Sequence, residues 1–234
     1  MSRAPARIAA ASGLAFAALF VTALVLMHRA PGLNASDAAY TTFYAGGGDM
    51  VLVTVGLYLV PLAGIAFLWH MTAMRALLDT LTPAPSTMAH GLNLLAGILF
   101  VTMVFAGTAA AGAPALAVYL GHAPVADPGT ARVLTAVGYG LVFVFAVRGA
   151  GMFAITTTTL LRAAGVLSLP VTVLGYLLAA FLLLSASHNP AVALVFPAWV
   201  VLVAASLLVH ARRAPAPGSD PASPPVTAPP TGAV

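Results

Sequence analysis

Six apolar stretches, each close to the length of a bilayer crossing and each closed by polar or helix-breaking residues, dominate this 234-residue chain. They lie at about 8–27, 50–71, 91–112, between Arg132 and Arg162, at 166–185 and at 191–209. A helix needs about 20 apolar residues to cross the hydrocarbon of a membrane. In lipid it must also satisfy its own backbone, which a helix does within one segment. Hydrophobic residues make up 61% of the chain and charged ones only 6%, against about 25% charged in a soluble domain. A soluble fold of this size could not hide so much apolar surface. The expected fold is therefore all-α: one bundle of six transmembrane helices over residues 1–213, followed by a disordered tail over 214–234. That tail, APAPGSDPASPPVTAPPTGAV, has no apolar period and cannot bury enough surface to offset its ordering entropy.

The few charges act as topology signals. All nine cations are arginine, and the acids are five aspartates with no glutamate. The arginines stand singly or in pairs beside the spans, so they form no nucleic-acid patch; the expected partner is the lipid bilayer. Arg3, Arg7, Arg75, Arg162, Arg212 and Arg213 collect at one side, Arg29 and Arg132 at the other. The side richer in arginine is the cytoplasmic one, which places both termini in the cytoplasm. Arg3 and Arg7 precede a first apolar run longer than the roughly 7–15 residues of a cleaved signal, so it reads as a retained helix; small residues at Ala35–Ala38 leave cleavage open. With no cysteine, disulfides, thiolate metal sites and cysteine nucleophiles are excluded.

Inside the spans, chemistry-bearing residues are scarce. There is no Gly-x-Ser-x-Gly or His-Glu-x-x-His pattern and no acid within an apolar run, so neither an intramembrane protease nor a proton relay is indicated. His28, His122 and His188 map to one set of span ends and His70, His90 and His210 to the other. Paired histidines on facing helices hold haem in some six-helix carriers, but these read as interfacial rings, and no metal or cofactor is expected. Thr156-Thr157-Thr158-Thr159 covers every face of its helix, which suits hydroxyls bonded to the preceding turn or to a neighbouring helix. Gly107 and Ala111 are small residues at helical spacing, fit for close packing; Gly138 and Val142 fail as such a pair. Trp69 and Trp199, and Tyr40, Tyr44 and Tyr119, read as interface anchors. Pro61 should bend the second span, and Pro114 should end the third.

Arg148 is the exception. It stands 16 residues after Arg132 and 14 before Arg162, about 20 Å or more from either along a helix. A cation inside hydrocarbon costs about 2.5–3.5 kcal/mol on insertion scales. With no acid in any span to pair with it, its donors must find carbonyls, the hydroxyls of Thr156 or Tyr139, water, or an anionic ligand. The expectation is an inward-pointing side chain, toward Pro61–Gly64 or the fifth span, with Arg148, Thr156 and Tyr139 as the candidate ligand-binding set.

Two stretches, VGLYLVPLAGIAFLWHMTAMRALLDTL from Val55 and RGAGMFAITTTTLLRAAGVLSLPVTVLGYLLAAFLLL from Arg148, continue into NPAVALVFPAWVVLV from Asn189. Together they resemble an uncharacterised family of actinobacterial six-span integral membrane proteins, of the domain-of-unknown-function type. The resemblance covers most of the chain from Met50 to His210 and departs from it at Arg75-Ala-Leu-Leu-Asp79, where relatives carry a denser charged run. It implies a bacterial inner-membrane location and no activity. The function expected is that of a non-enzymatic, multi-pass membrane protein. One alternative is a transporter or binder of a small anionic or lipid-like ligand centred on Arg148; another is a haem-based electron carrier. Whether it associates with a second copy or another membrane partner stays open at this level.

Overall fold

Apolar runs of this length leave the backbone no hydrogen-bond partners but its own turns, and each of the six is helical. The computed structural model describes residues 3–80, 87–185 and 190–213, and contains no strand among them. The tail beyond residue 213 and the turn at Ser187-His188-Asn189 lie outside the described residues. The helices are α1 (Arg3–Met27), α2 (Asp37–Ala45), α3 (Asp49–Leu78), α4 (Thr87–Gly121), α5 (Pro128–Ala163), α6 (Leu169–Leu184) and α7 (Pro190–Arg213). Five of them, α1, α3, α4, α5 and α7, are long and apolar enough to cross a membrane, which marks a membrane-embedded chain. The sixth, α6, has 16 residues. At 1.5 Å per residue it spans about 24 Å, short of a hydrocarbon core of about 30 Å.

One aromatic cluster ties the long helices together. Phe16 and Phe20 come from α1, Phe67 from α3, Phe100 from α4, Phe153 from α5, and Phe196 and Trp199 from α7. Phe67 lies at the centre, with ring centroids 4.9 Å from Phe16, 5.2 Å from Phe100 and 5.0 Å from Phe153. Phe100 and Phe196 close the cluster at 4.7 Å. Most of these pairs are tilted or edge-to-face, the arrangement the ring quadrupole favours, each worth about 0.5–1.5 kcal/mol. In lipid, where no water drives helices together, such van der Waals packing is what holds a bundle. Trp199 belongs to this core, 1% exposed, and is not the interface anchor its sequence position suggested. Trp69, 66% exposed, keeps that outward position.

Small residues set the remaining contacts. On α4, Gly107 and Ala111 meet Gly138 of α5; a methyl group at Gly138 would come within 2.5 Å of the Gly107 carbonyl oxygen. Lower on the same crossing, Gly149 lies against the backbone of Ala96 and Phe100. Gly138 thus works as a packing residue with a partner on another helix, while Val142 fills the space beside Gly107. Helix α6 sits outside α5, where Gly151 meets the Ala179 carbonyl and Gly175 faces Thr158.

Three backbone features stand out, and the last of them overturns an expectation. The polar stretch between the first two spans contains helix α2, because Ser36 caps it: its side chain accepts from the Ala39 N–H. The disturbance at Pro61 takes the form of a wide π turn over Val55–Leu59, closed by a bond from the Val60 N–H to the Val55 carbonyl five residues back. Proline lacks the N–H a regular turn would use here. Pro114 does not end α4, which runs on to Gly121 with the proline buried inside it. Packing against neighbouring helices offsets one missing backbone bond in a bundle of this kind.

Candidate ligand cavity

The end of the bundle that carries α2 is hollow. A cavity of about 540 Å³ lies between the last two turns of α1, the π turn of α3, and α4 and α5. Its depth follows from α1: Phe20 to Met27 covers about 10 Å of helix. Small side chains make the space, with Ala23, Gly107, Ala111 and Gly138 all on its wall. Both wide turns border it. Val55 and Val60 flank the π turn of α3, and Tyr139, Val142 and Phe143 belong to or adjoin the second one, Gly140–Ala146 in α5. That second turn is closed by the Val147 N–H on the Val142 carbonyl, again five residues back. Such turns occur often at functional sites, since the extra residue shifts the side chains around it.

Most of the lining is apolar, and His28, Asn34, Thr108 and Tyr139 supply its polar side chains. Residues Gly32–Ala35 border the cavity, and two side chains tie that segment down. Arg132 of α5 donates to the Asp37 carboxylate at 2.7 Å and to the Ala35 carbonyl at 2.9 Å. It also lies over the Tyr40 ring, 5.2 Å from its centroid. Tyr40 is 2% exposed and donates its hydroxyl to the Gly32 carbonyl at 3.3 Å. Arg132 and Tyr40, which the sequence offers as a topology signal and an interface anchor, are thus the two fasteners of this segment. Burial, helped by Tyr40 and Asp49 nearby, pushes the Tyr44 hydroxyl above its ordinary pKa and keeps it a neutral donor.

The expected ligand set does not assemble here. Tyr139 lines the cavity, stacked edge-on to Phe143 at 5.3 Å. Arg148 does not line it. Its side chain falls on the stripe Phe145, Met152, Ile155 and Thr159, the more exposed face of α5, and donates to the Val144 carbonyl of its own wide turn at 2.7 Å. The expected inward position fails for a helical reason: Val147, Gly149, Ala150 and Gly151 take the buried faces, so residue 148 is left at the rim. Thr156 is bound elsewhere, in a buried knot with α4. Asn93 donates to the Thr156 and Thr157 hydroxyl oxygens at 2.9 and 2.7 Å, and Thr156 donates back to the Met152 carbonyl at 2.9 Å. Thr158 is buried with its hydroxyl unpartnered, and Thr159 is exposed and bonded to Tyr176 at 2.9 Å.

The histidines also separate. His70 is fully buried, not interfacial, because α1 crosses it: its Nδ1 donates to the Ala9 carbonyl at 2.7 Å. A carbonyl only accepts, so the proton is on Nδ1, and the buried Nε2 is a bare acceptor with no partner. His28 is at the cavity, and His122 turns the chain after α4 at φ 49°. His188 lies outside the described residues. Among the described residues no three His, Cys, Asp or Glu side chains come together as a metal site would require. No known family model, curated protein or solved structure matches this chain.

Proposed function

We propose that this chain is a multi-pass protein of the bacterial inner membrane that holds a lipid-like, mainly apolar molecule in the cavity beside α2. The observation that carries this is the cavity itself: about 540 Å³ with mainly apolar walls and four polar side chains. Binding sites for small molecules fall in the range of about 300–1,000 Å³ and have this composition. The reading keeps the lipid-like ligand of the sequence-based alternative but moves its centre from Arg148 to Tyr139 and the α1 end. It includes six crossings with both termini cytoplasmic, from the arginine bias, so the α2 segment faces outward. It assigns no catalysis, since the sequence has no Gly-x-Ser-x-Gly or His-Glu-x-x-His pattern and no acid within an apolar run.

Native mass spectrometry tests it, with oleyl alcohol as the probe. The wild-type protein should retain one adduct, and Thr108→Phe, which places a ring in the cavity, should lose it with helicity unchanged. Equal retention by both proteins would remove the proposal.

A further inference from the structure

At the opposite end of the bundle, a smaller cleft of about 140 Å³ opens between the end of α3 and the start of α4. Its polar lining is Thr72, Arg75, His90 and Asn93. Two of these are already spent. Thr72 donates its hydroxyl to the Leu68 carbonyl at 2.9 Å, and the Asn93 amide hydrogens go to Thr156 and Thr157. The other two are not. Among the described residues Arg75 is in neither of the ion pairs, which join His90 to Asp79 and Arg132 to Asp37. His90 has 13% of its side chain exposed, and its Nε2 is buried with no partner. On the far side of the ring, Nδ1 stands 3.9 Å from the Asp79 carboxylate. That distance is too long for a hydrogen bond, so the buried Nε2 is the ring nitrogen left without any partner.

The unspent groups are thus a guanidinium with up to five donors and an imidazole nitrogen with a carboxylate behind it. They call for an anion with several acceptor oxygens. The cleft is too small for a lipid and wide enough for one tetrahedral oxyanion. It lies where α3 ends and α4 begins, the same end as Arg7, Arg162 and Arg212, at the level where a span meets its polar flank. An arginine fork matches phosphate oxygens bidentately.

We propose that Arg75 and His90 bind a phosphate group in this cleft, carried either by a phospholipid headgroup or by free phosphate. The proposal is independent of the cavity at the other end. The test uses the full chain in nanodiscs of phosphatidylglycerol or phosphatidylcholine, read by native mass spectrometry, and thermal unfolding with added inorganic phosphate. The variants are Arg75→Gln, His90→Ala and, as an arginine at the same end, Arg162→Gln. If a headgroup is the ligand, wild type and Arg162→Gln retain phosphatidylglycerol. Arg75→Gln and His90→Ala then lose it by about tenfold each, the size of one charge-assisted hydrogen bond. If free phosphate is the ligand, it raises the unfolding temperature of wild type and of Arg162→Gln but not of the two cleft variants. Arg75 is exposed on its helix, so its substitution leaves folding intact, and Arg75→Lys should recover part of the binding. Equal lipid retention by all four proteins, with no response to phosphate, would overturn the proposal.

Discussion

A single buried imidazole shows how much one residue decides in this bundle. His70 joins α3 to α1 through the Ala9 carbonyl, with Gly13 left bare so that the ring fits; a methyl at Gly13 would stand 2.8 Å from Nδ1. His70→Leu keeps the volume and removes the bond, and should cost about 1 kcal/mol, the scale of interhelical hydrogen bonds in membranes. His70→Ala adds a void beside Phe67 and should cost about 2–5 kcal/mol. Unfolding in mixed micelles, with helicity as the signal, separates the two. At the start of α5, Asp127 caps the helix: it accepts from the Thr130 N–H at 3.0 Å and from its hydroxyl at 2.6 Å. Those bonds, the hydroxyl's first, hold its pKa below the usual carboxylate range. A depressed carboxylate stabilises the fold above its unfolded pKa and loses that contribution as pH falls through the folded value. Amide exchange over residues 129–131, corrected for its intrinsic pH dependence, should therefore accelerate on acidification below the normal aspartate range. Thr130→Ala should bring that onset to higher pH; an unchanged onset would count against the cap.

Among the elements, α4 and α5 cross closely, since Gly107 and Gly138 meet backbone to backbone. Gly138→Val must push the helices apart and should destabilise the bundle by about 1–3 kcal/mol, the cost of overpacking. Gly140→Ala, two residues on, has nothing within 4 Å of the added methyl and should be neutral or better in the same unfolding assay. The α2 segment poses a different case, an element that one side chain of another helix ties down at three points. Arg132→Ala removes the pair with Asp37, the bond to Ala35 and the contact with Tyr40 together. Hydrogen exchange over residues 32–45 should rise, while that of Phe67 and Phe100 in the core stays unchanged. A uniform rise through all helices would mean that α2 is part of the core's cooperative unit instead.

For the molecule as a whole, the open quantity is orientation, and the cysteine-free sequence makes it easy to measure. Single cysteines at Ala38 and Ala126 should react with an impermeant thiol reagent in intact cells, and cysteines at Thr80 and Ser219 should not. Labelling at the last two would invert the topology and turn the α2 cavity toward the cytoplasm. The same experiment bears on α6. If its 16 residues did not cross, Ala126 and a cysteine at Ser187 would lie on opposite sides.

What the sequence determines by itself is the class of solvent and the class of fold. Apolar runs of crossing length with almost no charges admit a helical membrane bundle and little else, and each run is helical over most of its length, the fifth from Leu169 to Leu184. Close packing at Gly107 and Ala111 was also legible, because small residues at helical spacing have one main use in lipid. Facing was not legible. The helices are apolar on all sides, so no periodicity tells a lipid face from a packed one. Arg148 goes to the rim, Trp199 to the core and His70 under α1 for reasons that lie in the neighbouring helices. The cavity was hidden for the same reason. It arises where two wide turns and four small residues from different helices coincide, and Arg132 reaches residues 95 and 97 positions away to hold its border. Only the tertiary structure brings such distant groups together, because the contacts that decide them are between helices and leave no period along the chain.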